Sequence, residues 1–170
     1  MTSEFGFTIH ATRKLLDQVK QPVGEPVEPT TALGNWYATA LFWKPQVALL
    51  VNERTFLPLF MPLAPATTLA RRVPDQVRRM LDAHGTDPRF VDHEVHSMGA
   101  GHYAKTASRS MLGVMNELAF LGNVHREEHG SDDDLISLSI RLSETPMSPL
   151  YKSHGSPDRE LKALVEGLMG

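Results

Sequence analysis

At 170 residues the chain is of single-domain size, and 41% hydrophobic residues suffice for one sizeable core. Seventeen Lys and Arg against 20 Asp and Glu give a formal charge of −3, so no global basic field marks a nucleic-acid partner and such a contact must come from a local patch. The absence of Cys excludes disulfide scaffolds, thiol nucleophiles and thiolate metal sites.

The opening MTSEFGFTIHATRK has no basic segment followed by a long apolar run, and the apolar stretch after Gln46 is cut by Asn52-Glu53-Arg54. A soluble, cytoplasmic protein without a membrane span is expected. Phe5 to Ala11 alternates apolar and polar residues, the period of a half-buried strand. Thr12 stands where it would cap a short helix over Arg13 to Val19. Pro22, Pro26 and Pro29 make Gln21 to Thr31 a loop. Three strands follow, Trp36 to Trp43, Gln46 to Val51 and Thr55 to Met61, separated by Lys44-Pro45 and Asn52-Glu53-Arg54. The run VALLV has the character of a strand covered on both faces, and Pro58 places the third strand at an edge. Short turns make these three an antiparallel meander that helices must cover.

Thr67 or Thr68 begins a helix to about Ala83, which Pro74 is expected to divide in two, leaving Arg71, Arg72, Arg78 and Arg79 outward. Asp87-Pro88 starts a helix to Met98, closed by Gly99. Ala100 to Thr106 fits a short strand, and Ser108 caps the strongest helix, Arg109 to His129, with Met111, Met115, Leu118 and Leu121 along one stripe and Val114, Phe120 and Val124 flanking. Leu135 to Ser143 alternates like a strand, but the acidic Asp132 to Asp134 start and the break from Glu144 to Pro149 favour a helix. Ser156-Pro157 opens a last helix to Met169. The expected fold is a single α+β domain over residues 1–170: a small antiparallel sheet, with the meander joined by the N-terminal strand and the strand near 100–106, covered by several helices.

Four constellations are candidates for chemistry. His125-Arg126-Glu127-Glu128-His129 matches H-x-x-E-H, which on a helix sets two imidazoles one turn apart beside a carboxylate, as a zinc-dependent hydrolase requires. Against that reading, the motif is the charged end of an amphipathic helix with no evident third ligand, so no cofactor is expected and zinc with His125, Glu128 and His129 is the alternative. His93 and His96, flanked by Asp92 and Glu94, form a weaker pair read as exposed helix surface. Lys105-Thr106-Ala107-Ser108-Arg109-Ser110, running on to Gly113 and Asn116, offers free helix N–H groups, two cations and several hydroxyls, a seat for phosphate. Gly113 lowers helix stability by about 1 kcal/mol relative to Ala, which suggests close approach of a backbone or ligand. Asn52, Glu53 and Arg54 add an amide, a carboxylate and a guanidinium, or simply turn the meander.

Four stretches resemble an uncharacterised bacterial family of small proteins, a domain of unknown function: Thr12-Arg13-Lys14-Leu15-Leu16, Leu33-Gly34-Asn35-Trp36-Tyr37-Ala38, Val51-Asn52-Glu53-Arg54-Thr55 and the segment from Lys105 to Asn116. The resemblance implies no activity, and the HREEH match is no part of it. The candidate ligand residues are therefore Asn52, Glu53, Arg54, Lys105, Thr106, Arg109, Ser110 and Asn116. The leading expectation is a binding or regulatory protein that holds a nucleic acid or another phosphate-bearing ligand, with Arg54 and the Arg71 to Arg79 cluster contributing. The alternatives are the zinc hydrolase, an enzyme with Glu53 as base and Lys105 or Arg109 as electrostatic stabiliser, and a homo-oligomer pairing through the edge strand or the Met-rich helix.

Overall fold

A computed structural model describes residues 5–130 and 134–170, and among these, beside two short 3-10 turns, it has five strands and six α-helices. They are β1 (Gly6–Ala11), α1 (Arg13–Val19), β2 (Trp36–Leu41), β3 (Val47–Asn52), β4 (Pro58–Pro62), α2 (Leu69–Ala83), α3 (Pro88–Met98), β5 (Ala100–Lys105), α4 (Arg109–His129), α5 (Leu135–Leu142) and α6 (Pro157–Met169). The class is α+β. The strand order is β4-β3-β2-β1-β5, with the meander β2, β3, β4 antiparallel. β1 runs parallel to both β2 and β5, so the sheet is mixed rather than wholly antiparallel. Periodicity fixes which side of a strand is buried, not which neighbour it pairs with, and the direction of β1 was outside its reach.

Alternation divides the strands between two cores. Phe7, Ile9, Trp36, Ala38, Leu50 and Leu59 face the helices α2, α3 and α6, where Val73, Val77, Phe90, Val91, Leu161 and Val165 meet them. Leu41, Val47, Leu49, Val51 and Phe60 face α4 and α5 through Met111, Val114, Met115, Leu118, Leu138 and Leu142. Every residue of β3 is buried because it belongs to both cores, as its unbroken apolar run requires.

Pro74 does not divide α2, which is one helix of 15 residues. Leu69, Val73, Val77, Met80 and Leu81 are buried on both sides of it. Burial of that stripe, of order 2 kcal/mol per side chain, outweighs the roughly 3 kcal/mol that an interior Pro costs. Arg72 is also turned inward at its tip, donating to the carbonyls of Pro62, Leu63 and Pro65. Thr12 does not cap α1: its hydroxyl bonds that of Thr39 at 2.8 Å.

The Leu135 segment is helical, and Ser139 explains its strand-like alternation. Its hydroxyl accepts from Phe60 N at 2.8 Å and donates to Leu135 O, so a small polar residue fills a core position and satisfies the outer edge of β4. That edge, and the buried Met111 and Met115, are used within the chain. Phe120, by contrast with its stripe, is 66% exposed. Asp134 caps α5 by accepting from Ile136 N, whereas Asp132 and Asp133 lie outside the described residues.

Candidate functional site

The turn between β3 and β4 is built around Asn52, which has no exposed surface. Its amide donates to Leu33 O at 2.9 Å, and its carbonyl oxygen accepts from Arg54 N, Thr55 N and the Thr55 hydroxyl. Glu53 accepts from Asn35 N, and Arg54 donates to Ala32 O. Gly34 takes φ +78, and a Cβ there would stand 2.2 Å from Glu53 Oε2. Only glycine fits that approach. Asn35 in turn accepts from Thr8 N at 2.8 Å. The Leu33 to Ala38 and Val51 to Thr55 motifs are thus two halves of one bracket.

Glu94 completes the bracket from α3. It is 1% exposed and accepts from Ala32 N at 2.8 Å and Leu33 N at 3.2 Å. Burial pushes its carboxyl above the usual range, opposed by those two N–H groups and the Arg54 charge. The exposed surface expected for its neighbours is found for His93 and His96. Glu94 was missed because nothing local announces a buried carboxylate; the signal lies in the loop it meets.

The start of α4 contrasts with this. Ser108 caps it by accepting from Met111 N at 3.2 Å, its hydroxyl lies 3.2 Å from that of Ser110, and Thr106 Oγ1 accepts from Ser108 N at 3.4 Å. The hydroxyls are therefore engaged. Lys105 and Arg109 are exposed and make no ion pair or side-chain hydrogen bond among the described residues, and the N–H groups of Arg109 and Ser110 have no internal acceptor. Asn116 is exposed on the outer side of the same helix. Gly113 meets nothing within 4 Å, so neither a packed backbone nor a tight sheet contact accounts for it. Close packing occurs instead at Gly122, where a Cβ would come 3.1 Å from Trp43 and 3.3 Å from Phe60.

These two groups are not neighbours. In the strand order, β3 and β5 are three steps apart, about 14 Å at ~4.8 Å per step. Glu53 is level with Asn35, whereas Lys105 is level with Ala38 through Ala11, a further ~10 Å along the strands. The direct pairing of Glu53 with Lys105 or Arg109 is not made. Of the α2 arginines, Arg72 serves backbone carbonyls and Arg78 pairs with Asp92 at 2.8 Å, while Arg71 and Arg79 stay exposed.

At the far end of α4, the His125 and His129 rings lie 4.5 Å apart, and Glu128 is 3.9 Å from His129. Arg126 lies over Trp43, 4.3 Å from the ring centroid. Among the described residues no three His, Asp or Glu are placed to hold a metal ion. No helix among them is long and apolar enough to cross a membrane.

A family model described as Domain of unknown function (DUF6933) matches residues 8–160. The chain belongs to this family. No curated protein and no solved structure matches it. The DUF6933 match contains every candidate ligand residue and the whole bracket around Asn52.

Two features lie beyond what the sequence suggested. A cavity of about 740 Å3 opens between the Gln21 to Glu25 segment, the first turn of α2 and β5. Tyr103 lines it, with a hydroxyl that is buried, close to Ala70 N but without an ordinary hydrogen bond, and pushed up to about 12 chiefly by burial. None of the candidate ligand residues lines that cavity. The second feature is a stacked pair, His10 and Tyr37, with centroids 4.6 Å apart and planes 20° from parallel.

Proposed function

We propose that this protein is a binding module that holds a phosphate-bearing partner at the first turn of α4. The observation that carries the reading is the availability of Lys105 and Arg109 together with the unbonded N–H groups of Arg109 and Ser110. A helix start concentrates positive potential, and N–H groups without acceptors are ready donors for phosphate oxygens. Other arginines support it by contrast: Arg54 and Arg72 serve backbone carbonyls, while Arg78 and Arg89 serve carboxylates. In a chain of charge −3, two such cations at one helix start favour local contact over general polyanion attraction.

Retention on a phosphate matrix and anisotropy of a labelled single-stranded oligonucleotide, both at low salt, test the reading. The parent chain is expected to bind and the Lys105→Ala/Arg109→Ala variant to lose binding at least tenfold. The salt slope for the single-stranded oligonucleotide should fall by about 1.4, from ~0.7 per phosphate contact removed. A variant that binds like the parent, or a parent that binds neither, overturns the proposal.

A further inference from the structure

β5 lies at one edge of the sheet, and its outer side is only partly covered. In a parallel pair the N–H and C=O of one residue point to the same side, and successive residues alternate. Thr106 N bonds Ala11 O on the β1 side, whereas Tyr103 O accepts from Gly24 N on the outer side. Gly101, two residues before Tyr103, therefore turns its N–H and C=O outward as well. Val23 bridges Tyr103 in the parallel sense, so the Gln21 to Glu25 segment adds a single rung to this edge. Among the described residues nothing bonds the N–H or C=O of Gly101 on that side.

The cavity of about 740 Å3 lies along the vacant rung. Gly101 and Tyr103 line it from the strand, Val23 and Glu25 from the crossing segment, and Ala70 and Arg71 from the start of α2. Strand and helix meet here, since a Cβ on Gly101 would stand 3.4 Å from the Ala70 Cβ. Arg71 and Glu25 are both exposed, and neither makes an ion pair or side-chain hydrogen bond among the described residues. Tyr103 is 4% exposed, with its hydroxyl close to Ala70 N and without an acceptor. Val23 leaves apolar surface uncovered at the opposite wall.

A donor and an acceptor side by side on a strand edge match another extended backbone. A free guanidinium beside them matches a carboxylate. The Glu25 carboxylate repels a bare polyanion and accepts from a ligand N–H. The volume suits a short chain end rather than a folded domain.

We propose that this cavity holds the C-terminal end of an extended peptide from a partner protein, adding to β5 at Gly101 and setting its terminal carboxylate at the α2 wall beside Arg71 and the Tyr103 hydroxyl. The site is separate from the first turn of α4, because Lys105 and Arg109 do not line the cavity.

The full chain is titrated with a pool of N-acetylated tripeptides bearing apolar side chains and a free C-terminus, with calorimetry and the Gly101 amide resonance as readouts. The pool is expected to bind and shift that resonance, and the same pool with C-terminal amides should bind at least tenfold more weakly. N-methylation of the peptide amides should abolish the shift. Arg71→Ala, at an exposed and unbonded side chain, should remove the preference for the free acid, and Tyr103→Phe should weaken binding severalfold. Failure of the free-acid pool to bind overturns the proposal, as does binding indifferent to the C-terminal charge, to N-methylation, or to Arg71→Ala and Tyr103→Phe alike. Inorganic phosphate that moves the Gly101 resonance as strongly as the peptides identifies a simple anion site and equally overturns it.

Discussion

The β3–β4 turn and the start of α4 are built from the same kinds of residue, yet one is closed on itself and the other is open. At the turn, Asn52, Glu53 and Arg54 each bond backbone groups of the 32–35 segment or of the turn itself. At the helix start only the hydroxyls are engaged, and Lys105 and Arg109 extend into solvent. Local composition does not decide between these outcomes. What decides it is whether a second segment with unmet backbone groups folds against the motif, since buried N–H and C=O groups must find partners.

Removing the closed side's central amide is expected to have the largest effect. Asn52→Ala leaves Leu33 O and Thr55 N without partners in a buried site, and releases a turn in which Phe56 takes the disfavoured φ of 62. A loss of about 3 kcal/mol in urea unfolding is expected from groups left unsatisfied at roughly 1–3 kcal/mol each. The Lys105→Ala/Arg109→Ala chain should keep the parent's midpoint. If Asn52→Ala unfolds like the parent, the bracket does not hold the fold together and the turn reverts to a candidate ligand contact.

How much of this was legible depends on how local each cause is. The bounds of α1, α3, α4 and α6 follow from stripes and from caps such as Ser108 and Asp87 within a few residues of the element, and these match the structure. The edge position of β4 was readable from Pro58. The roles of Glu94 and His10 were not, because each depends on a segment 27 or more residues away in sequence: the 32–33 backbone for Glu94, and Tyr37 for His10. Gly113 shows the converse case. A local rule marked it correctly as costly in a helix, but the packing inferred from that cost belongs to Gly122.

The two glycines of α4 differ in the same open-against-closed way, with smaller energies. Gly113→Ala adds a methyl into open space and should raise stability by up to about 1 kcal/mol through helix propensity. At Gly122 the same gain is offset by contacts of 3.1 Å to Trp43 and 3.3 Å to Phe60, so the variant is expected to be about 1 kcal/mol less stable than Gly113→Ala. Equal midpoints would show that α4 can shift off the sheet. Weakened oligonucleotide binding in the more stable Gly113→Ala chain would extend the proposed contact one turn along the helix.

The smallest effect separates the closed bracket from a second partly buried site by the sign of its pH dependence. Glu94 has a folded pKa raised above its ordinary 4.5, mainly by burial, so the folded chain binds more protons than the unfolded one between those values. Its contribution is fully present below 4.5 and is lost as pH rises through the folded pKa. His84 behaves oppositely. Its Nε2 is buried without a partner in a cavity shared with Asp87 from its own turn and Asp158, Lys162 and Glu166 from α6. Burial lowers its pKa below 6.5, against the Asp158 charge, so the unfolded chain binds more protons and stability falls as pH drops below 6.5. Either slope is bounded by about 1.4 kcal/mol per pH unit for one proton. Unfolding measured at steps from pH 7 to pH 4.5 should therefore show Glu94→Gln losing stability relative to the parent as acid is added, and His84→Gln gaining it. If both variants track the parent, these two groups titrate alike in the folded and unfolded chains, and the bracket holds its carboxylate without selecting its protonation state.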